Sequence, residues 1–361
     1  MHTMSIMNFK SERYLTLKEG VMDILNPSAV VGTNSWGGKL YSKAIRGNYV
    51  SDGIIKAAMK EAKEQDIPLY DLARDYGFGK AQKMIGEFGT KDIIISAKFT
   101  PFTHYRKGCV RKSLMKDLKD FKRDYVDIYW LHLPTDIEEH LNEIIELYRE
   151  KKIRHIGVSN FNLDECKKSK AILDAQGIPL YGVQNHYSII CRQWERNGLL
   201  RWCTENDILF WGWAVLEEGL LVDPRRMKRS PLKFAFNRKV RKLIPLYKVM
   251  MEIANKHSIK VPQVAMAFCT YKGVIPMVGC RKPDQVKDLA NAVNMALSDE
   301  EIRMLEEAAD KSNVQIMGAD IFRPFVLKER KNVERKTKDY RRRYRTVTGN
   351  KDQGKNPKSG H

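Results

Sequence analysis

The sequence predicts a parallel (β/α)8 barrel, the TIM-barrel architecture. Three observations carry this. Eight short apolar runs alternate with amphipathic helical stretches between residues 29 and 310. No Gly-x-Gly-x-x-Gly turn follows an early run, which argues against a doubly wound dinucleotide-binding sheet. The chain has 361 residues, 43% of them hydrophobic, which suffices for one domain of about 250 residues or more.

Taken in order, the apolar runs cover residues 29–33, 68–73, 92–98, 125–132, 155–159, 180–185, 207–214 and 274–279. Helix candidates between them are 52–65, 81–88, 111–121, 138–151, 163–176, 194–205 and 262–271. One long interval follows the seventh run. Such repeated β-then-α units imply parallel strands with right-handed crossovers. Ahead of the barrel, residues 13–17 and 21–25 flank Lys18–Gly20 and read as a β-hairpin. The domain reading is therefore an N-terminal segment over 1–28, a barrel over 29–310 and a basic tail over 311–361.

Polar residues sit where the apolar runs end. Asp71 lies in the second run, and a buried carboxylate needs a paired cation. Lys98, near the end of the third run, is the candidate. His132 closes the fourth run, and Tyr76 follows the second by a short loop that ends in Gly77 and Gly79. In barrels of this kind, active residues cluster at the C-terminal strand ends. Ser159, Gln184 and Trp213 fall there too. Strand alternation puts Ile94, Ser96 and Lys98 on one face, and Ile128, Trp130 and His132 on one face.

These residue types suit carbonyl chemistry. A phenol titrates near ~10, and a neighbouring ammonium favours its ionised form. Lys98 supplies the ammonium, Asp71 holds it, and Tyr76 exchanges the proton. His132 is expected to donate a hydrogen bond to a carbonyl oxygen. No side chain supplies hydride, so a nicotinamide cofactor is required.

Asp71-Leu72-Ala73, Tyr76-Gly77 with Gly79, Lys98, and Leu131-His132-Leu133-Pro134 resemble the signature of the aldo-keto reductase family. The block at 153–161 resembles the next motif, and the likeness runs in order from about Gly32 to about Asp310. The chain is similar to the NADP-dependent oxidoreductase branch, without the iron–sulfur module that some relatives carry after the barrel. It is similar also to potassium-channel β subunits, which makes a redox-sensing, NADP-binding subunit the alternative to an enzyme. The resemblance implies a hairpin that plugs the barrel's N-terminal end and a catalytic set of Tyr76, Lys98, Asp71 and His132. It implies nicotinamide contacts from Ser159, Asn160, Gln184 and Trp213, with further cofactor contacts from Thr33, Asn34, Asp71, Ala214 and Leu216. Ala214 and Val215 stand where Ser and Pro are usual, so a pyrophosphate-reaching hydroxyl is missing; Lys228, Arg225 or Arg226 is the expected substitute. Gly279, Arg281, Gln285 and Asp288 resemble the block that grips the adenosine end. Arg281 with Lys282 suits a 2′-phosphate, so NADP(H) is expected over NAD(H).

Composition narrows the setting. The net charge is +20, and residues 311–361 carry 15 Lys/Arg against 5 Asp/Glu. The tail reads as a solvated extension able to contact an acidic partner; no nucleic-acid-binding motif accompanies it. No run of 18 apolar residues predicts a membrane span, and the first ten residues lack the apolar stretch of a secretory signal. Six cysteines without a C-x-x-C pair fit reduced thiols in a cytoplasmic protein, and no cluster has zinc spacing. Substrate identity rests on the loops 33–49, 100–109, 188–197 and 217–242. There Trp36, Phe102 and Tyr105 suggest an apolar pocket, and Arg106 and Arg192 are either candidate anion contacts or solvent-facing. His104, His140, His155, His186 and His257 receive no role.

Overall fold

Each of the eight apolar runs forms a strand: β1 (Val30–Gly32), β2 (Leu69–Asp71), β3 (Ile94–Phe99), β4 (Val126–Leu131), β5 (Ile153–Ser159), β6 (Leu180–His186), β7 (Leu209–Trp213) and β8 (Ile275–Gly279). All pair in parallel, in sequence order, and β8 pairs back to β1 through Val30↔Met277 and Gly32↔Gly279, which closes the barrel. The computed structural model describes residues 27–36, 38–39, 49–223, 241–314 and 323–327. The hairpin expected over 13–25, the basic side chains 225, 226 and 228, and nearly all of the 311–361 tail lie outside the described residues.

Around the strands run α1 (Asp52–Glu64), α2 (Lys80–Phe88), α3 (Cys109–Phe121), α4 (Ile137–Arg149), α5 (Leu163–Asp174), α6 (Gln193–Arg196), α7 (Leu199–Glu205), α8 (Ile244–Lys256), α9 (Val261–Tyr271), α10 (Pro283–Val293) and α11 (Asp299–Ser312). Their apolar stripes face the strands. In α1, Ile55, Ala58 and Ala62 are buried at helical spacing. The start of α5 is a capping box: Asn162 accepts from Glu165 N, and the Glu165 side chain accepts from Asn162 N. The same device, Ser298 with Glu301, starts α11. Among the described residues no helix is long and apolar enough to cross a membrane, and no His/Cys/Asp/Glu cluster could hold a metal ion.

Val30, Leu69, Ile128, Trp130, Tyr181, Trp211, Ile275 and Met277 fill the barrel interior. Two glycines make the room. A Cβ on Gly157 would lie 2.4 Å from the Trp130 ring, and one on Gly182 would lie 3.2 Å from it. Trp130 and Trp211 pack at 4.9 Å between ring centroids. This aromatic layer is the floor on which the polar mouth of the barrel rests.

Candidate active site

Asp71 ends β2 with its side chain fully buried, inside the barrel mouth. Three groups compensate the cost of that burial. Lys98 of β3 forms an ion pair with Oδ2. Ser96 Oγ and Gln184 Nε2 each donate to Oδ1 at 3.0 Å. Behind Ser96, Trp130 Nε1 donates to its Oγ at 2.7 Å, so the floor and the mouth are joined. Alternation along β3 places Ser96 and Lys98 together on this side.

Lys98 Nζ reaches Tyr76 Oη at 3.4 Å and lies 5.1 Å from the Tyr76 ring centroid. It also approaches Leu72 O at 3.5 Å. Burial pulls the Lys98 ammonium below its ordinary range, while the Asp71 charge pulls it back up. Tyr76 opens a short helical turn, Tyr76–Gly79, in which Gly77 and Phe78 have positive φ. Phe78 is 90% exposed, so this turn presents an aromatic at the rim. Arg74 ties the same loop to α3 through ion pairs with Asp117 and Asp120.

His132 follows β4. Its N–H donates to Phe99 O at 2.9 Å, and its carbonyl accepts from Asn160 Nδ2 at 3.0 Å. Burial first, and the Lys98 ammonium against the pull of Asp75 and Asp71, hold the imidazole at about 4, so it is neutral at physiological pH. The ring Nδ1 lies 2.7 Å from Thr100 Oγ1. Tyr76, Lys98, Asp71 and His132 thus gather at the ends of neighbouring strands.

Ser159, Asn160 and Gln184 form the adjoining wall. Ser159 Oγ donates to Gln184 O at 2.9 Å, and Trp213 Nε1 donates to Asn160 Oδ1 at 3.2 Å. Buried amide donors and acceptors beside a half-buried indole suit a planar ring that carries a carboxamide. Asn160, Ala214, Glu217 and Glu218 all hold positive φ, a concentration of strained backbone at the ends of β5 and β7.

Thr33 caps this end of β1, with Oγ1 donating to Asp71 O at 2.8 Å, and Asn34 lies in the turn that follows. Leu216 is half-buried against the core beyond Ala214. At the end of β8, Gly279 is exposed opposite Gly32. Arg281 lies beyond it, its guanidinium lowered by burial. The carbonyl of the Gln285 side chain accepts from the N–H groups of Arg281 at 2.8 Å and Lys282 at 3.2 Å. It therefore starts α10. Asp288 is engaged by Lys260 at 2.7 Å.

Two expectations are corrected. Trp36 lines no pocket: it is fully buried, with Nε1 donating to Cys280 O at 3.0 Å. Arg192 is no anion receptor; it is bound to Asp310 and to Glu306 at 2.9 Å. Conversely, sequence reasoning overlooked Asp75, which accepts from Thr100; Thr100, which touches His132; and His186, which stacks on Trp213 at 4.6 Å and pairs with Glu217 at 2.9 Å. The only signal for the first pair was their position, directly before Tyr76 and two residues after Lys98.

Known proteins share this fold. The model of the aldo/keto reductase family matches residues 29–310. The chloroplastic pyridoxal reductase of Arabidopsis thaliana is 27% identical over 305 residues, covering 78% of this chain and 82% of the relative. An aldo-keto reductase of Bacillus subtilis is 25% identical over 325 residues, covering 83% and 93%. A thermostable aldo-keto reductase solved with the inhibitor epalrestat superposes with a TM-score of 0.64 at 26% identity, covering 81% of this chain and 97% of that one. An aldo-keto reductase of Klebsiella pneumoniae in complex with NADPH shares the fold, with a TM-score of 0.63 at 21% identity and coverage of 78% and 90%.

Proposed function

The chain belongs to the aldo/keto reductase family of oxidoreductases, and from that premise we propose that it interconverts aldehydes or ketones with alcohols, using NADP(H) and Tyr76 as the general acid and base. The observation that carries the reading is the buried contact series Asp71–Lys98–Tyr76 at the mouth of a closed barrel. Held by Ser159, Asn160, Gln184 and Trp213, a dihydronicotinamide would supply the hydride for the carbonyl carbon. Tyr76 Oη gives its proton to the carbonyl oxygen, and the C=O π bond becomes the O–H bond of the alcohol. Lys98 stabilises the phenolate left behind. Asp71 keeps Lys98 charged and aimed, and Ser96 and Gln184 keep Asp71 in place. In the reverse direction Tyr76 takes the proton back.

Ser159, Asn160, Gln184 and Trp213 would hold the nicotinamide, and Thr33, Asn34, Ala214 and Leu216 would border it. Gly279, Arg281, Gln285 and Asp288 would form the adenosine end. A preference for NADP over NAD is supported by the Arg281 guanidinium, which suits a 2′-phosphate, and by the NADPH complex of the Klebsiella relative. The six cysteines are all free, five of them buried, which supports a cytoplasmic setting. The partners are small carbonyl compounds or alcohols.

The test is NADPH oxidation followed with a panel of aldehydes and ketones. Turnover well above background is expected, and Tyr76→Phe is expected to lower kcat/KM by about 10²–10⁴-fold with thermal stability unchanged. Normal reduction by Tyr76→Phe would overturn the assignment. Background-level turnover in the unaltered protein would shift the reading to a cofactor-binding regulatory subunit.

A further inference from the structure

Tyr76 stands on a turn with strained backbone. Gly77 and Phe78 have φ of 59° and 56°, the left-handed region that disfavours a residue with a Cβ. Phe78 is 90% exposed, so burial of its side chain does not offset that cost. Within the turn, Tyr76 N donates to Ala73 O at 2.9 Å and Lys80 N donates to Gly77 O. Tyr76 Oη must nonetheless stay within reach of Lys98 Nζ, 3.4 Å away. Strain of this kind persists only where surrounding contacts over-determine the conformation.

Arg74 supplies such contacts. It precedes Tyr76 by two residues, and its guanidinium binds Asp117 through Nη2 and Asp120 through Nη1. The two carboxylates lie three residues apart on α3 and so share a face. The Asp117 side chain is fully buried. Burial pushes its carboxyl up to about 7, although Arg74 pulls it down. The same guanidinium covers the far end of the turn: a Cβ on Gly79 would lie 2.6 Å from Nη1. One side chain therefore ties residues 74 and 79 to α3, with Tyr76 between them. That face of α3 is itself fixed. A Cβ on Gly86 of α2 would collide with Asp120 O, so the two helix backbones touch. Gln82 Nε2 of α2 also reaches Asp117 Oδ1 at 3.4 Å, and α2 begins at Lys80, directly after the turn.

We propose that Arg74, braced by Asp117 and Asp120, is a positioning residue that holds the Tyr76 phenol where it can exchange a proton with the substrate oxygen. It acts through the turn and not on the reacting atoms. The role in proton transfer rests on the reaction proposed above; the anchoring rests on the contacts alone. A donor displaced by about an ångström loses much of its rate while the rest of the site still binds.

Arg74→Met keeps the aliphatic stem but strands the Asp117 carboxylate in the interior. Arg74→Met combined with Asp117→Asn removes that stranded charge, so the double variant carries the test if the single one unfolds. Backbone hydrogen exchange read by mass spectrometry at matched pH is expected to quicken over residues 74–80 by about tenfold or more, and to stay unchanged over β4 and β5. Unchanged exchange over 74–80 overturns the anchoring. With NADPH and an aldehyde that the unaltered protein reduces, kcat is expected to fall by about 10²-fold. The Kd for NADPH, read by fluorescence titration, is expected to stay within about twofold. Arg74→Lys, a point charge that cannot span both carboxylates, is expected to recover part of the rate. Full kcat in the double variant overturns the positioning role, and so does a fall in kcat matched by an equal loss of NADPH affinity. No turnover in the unaltered protein, with quickened exchange in the variant, overturns the proposed reaction and upholds the anchor.

Discussion

Two imidazoles are buried at the barrel mouth, and their surroundings drive them to opposite charge states. His132, after β4, is 7% exposed; His186, at the end of β6, is 1% exposed. Burial disfavours the charged form of both. Beside His132 stands the Lys98 ammonium, and the ring stays neutral, at about 4. At His186 the same burial is overridden by the Glu217 carboxylate at 2.9 Å, aided by Cys191, and the imidazole is held up to about 10. Desolvation is common to the two sites; at His132, where Lys98 opposes Asp75 and Asp71, burial prevails, and at His186 a directly bonded carboxylate overrides it. One half of the mouth keeps its histidine uncharged beside the contacting pair Tyr76 and Lys98. The other half holds a permanent ion pair that braces the Trp213 indole, with Ser188 also donating to Glu217.

The strongest way to break this contrast is to remove its charges. Lys98→Met leaves Asp71 buried with only neutral donors, and a loss of about 3–5 kcal/mol in unfolding free energy is expected by chemical denaturation, together with loss of carbonyl reduction. Unchanged stability would mean that Ser96 and Gln184 alone compensate the carboxylate.

The pH dependence sharpens the contrast next. Unfolded histidine binds a proton near 6.5, folded His132 only near 4, so the unfolded state holds more protons between these values. Stability from the neutral ring is full above pH 6.5 and is lost as pH falls toward 4, on the order of 3 kcal/mol. The difference in unfolding free energy between the unaltered protein and His132→Gln across that window measures it. His186 has the opposite sign: its raised folded value, about 10, makes a contribution that is full below pH 6.5 and is lost as pH climbs through 10.

Glu217→Gln tests that second half directly. A loss of about 2 kcal/mol is expected, below the usual cost of stripping a buried charge because the amide oxygen still accepts from His186. Carbonyl reduction per folded molecule is expected to change less than it does in Lys98→Met. A collapse of turnover at unchanged stability would place His186 in the chemistry rather than in the wall. The smallest effect is expected at the joint between floor and mouth. Trp130→Phe keeps most of the ring volume over Gly157 and Gly182 but loses the 2.7 Å bond to Ser96, and about 1 kcal/mol should be lost in thermal or denaturant unfolding.

Much of this molecule was legible in the chain. The eight apolar runs became eight strands because each is short, apolar and separated by helical periodicity. Asp71, Lys98 and His132 were legible because an ionisable residue at the end of an apolar run is costly unless partnered. Helices α8, α10 and α11 were left out of the sequence reading, although Ser298 with Glu301 was a readable capping box and Pro283 a readable helix start. Trp36 was misread because an aromatic in a loop near a site looks like a pocket wall; its indole instead finds Cys280, 244 residues away. The Asp75–Thr100–His132 and His186–Glu217 contacts left no trace beyond the places of Asp75 beside Tyr76 and Thr100 near Lys98, because each depends on side chains from different elements meeting.

By itself the sequence determined the alternation of strand and helix, and hence the closed barrel and the end at which Asp71, Lys98, His132, Ser159 and Gln184 emerge. Side-chain direction along a strand follows from a period of two, which is a local property. Only the tertiary structure decided which imidazole is charged, which ring nitrogen has a hydroxyl beside it, and which arginine is already bound. Those outcomes depend on burial and on charges a few ångströms away in space, contributed by residues tens of positions away along the chain.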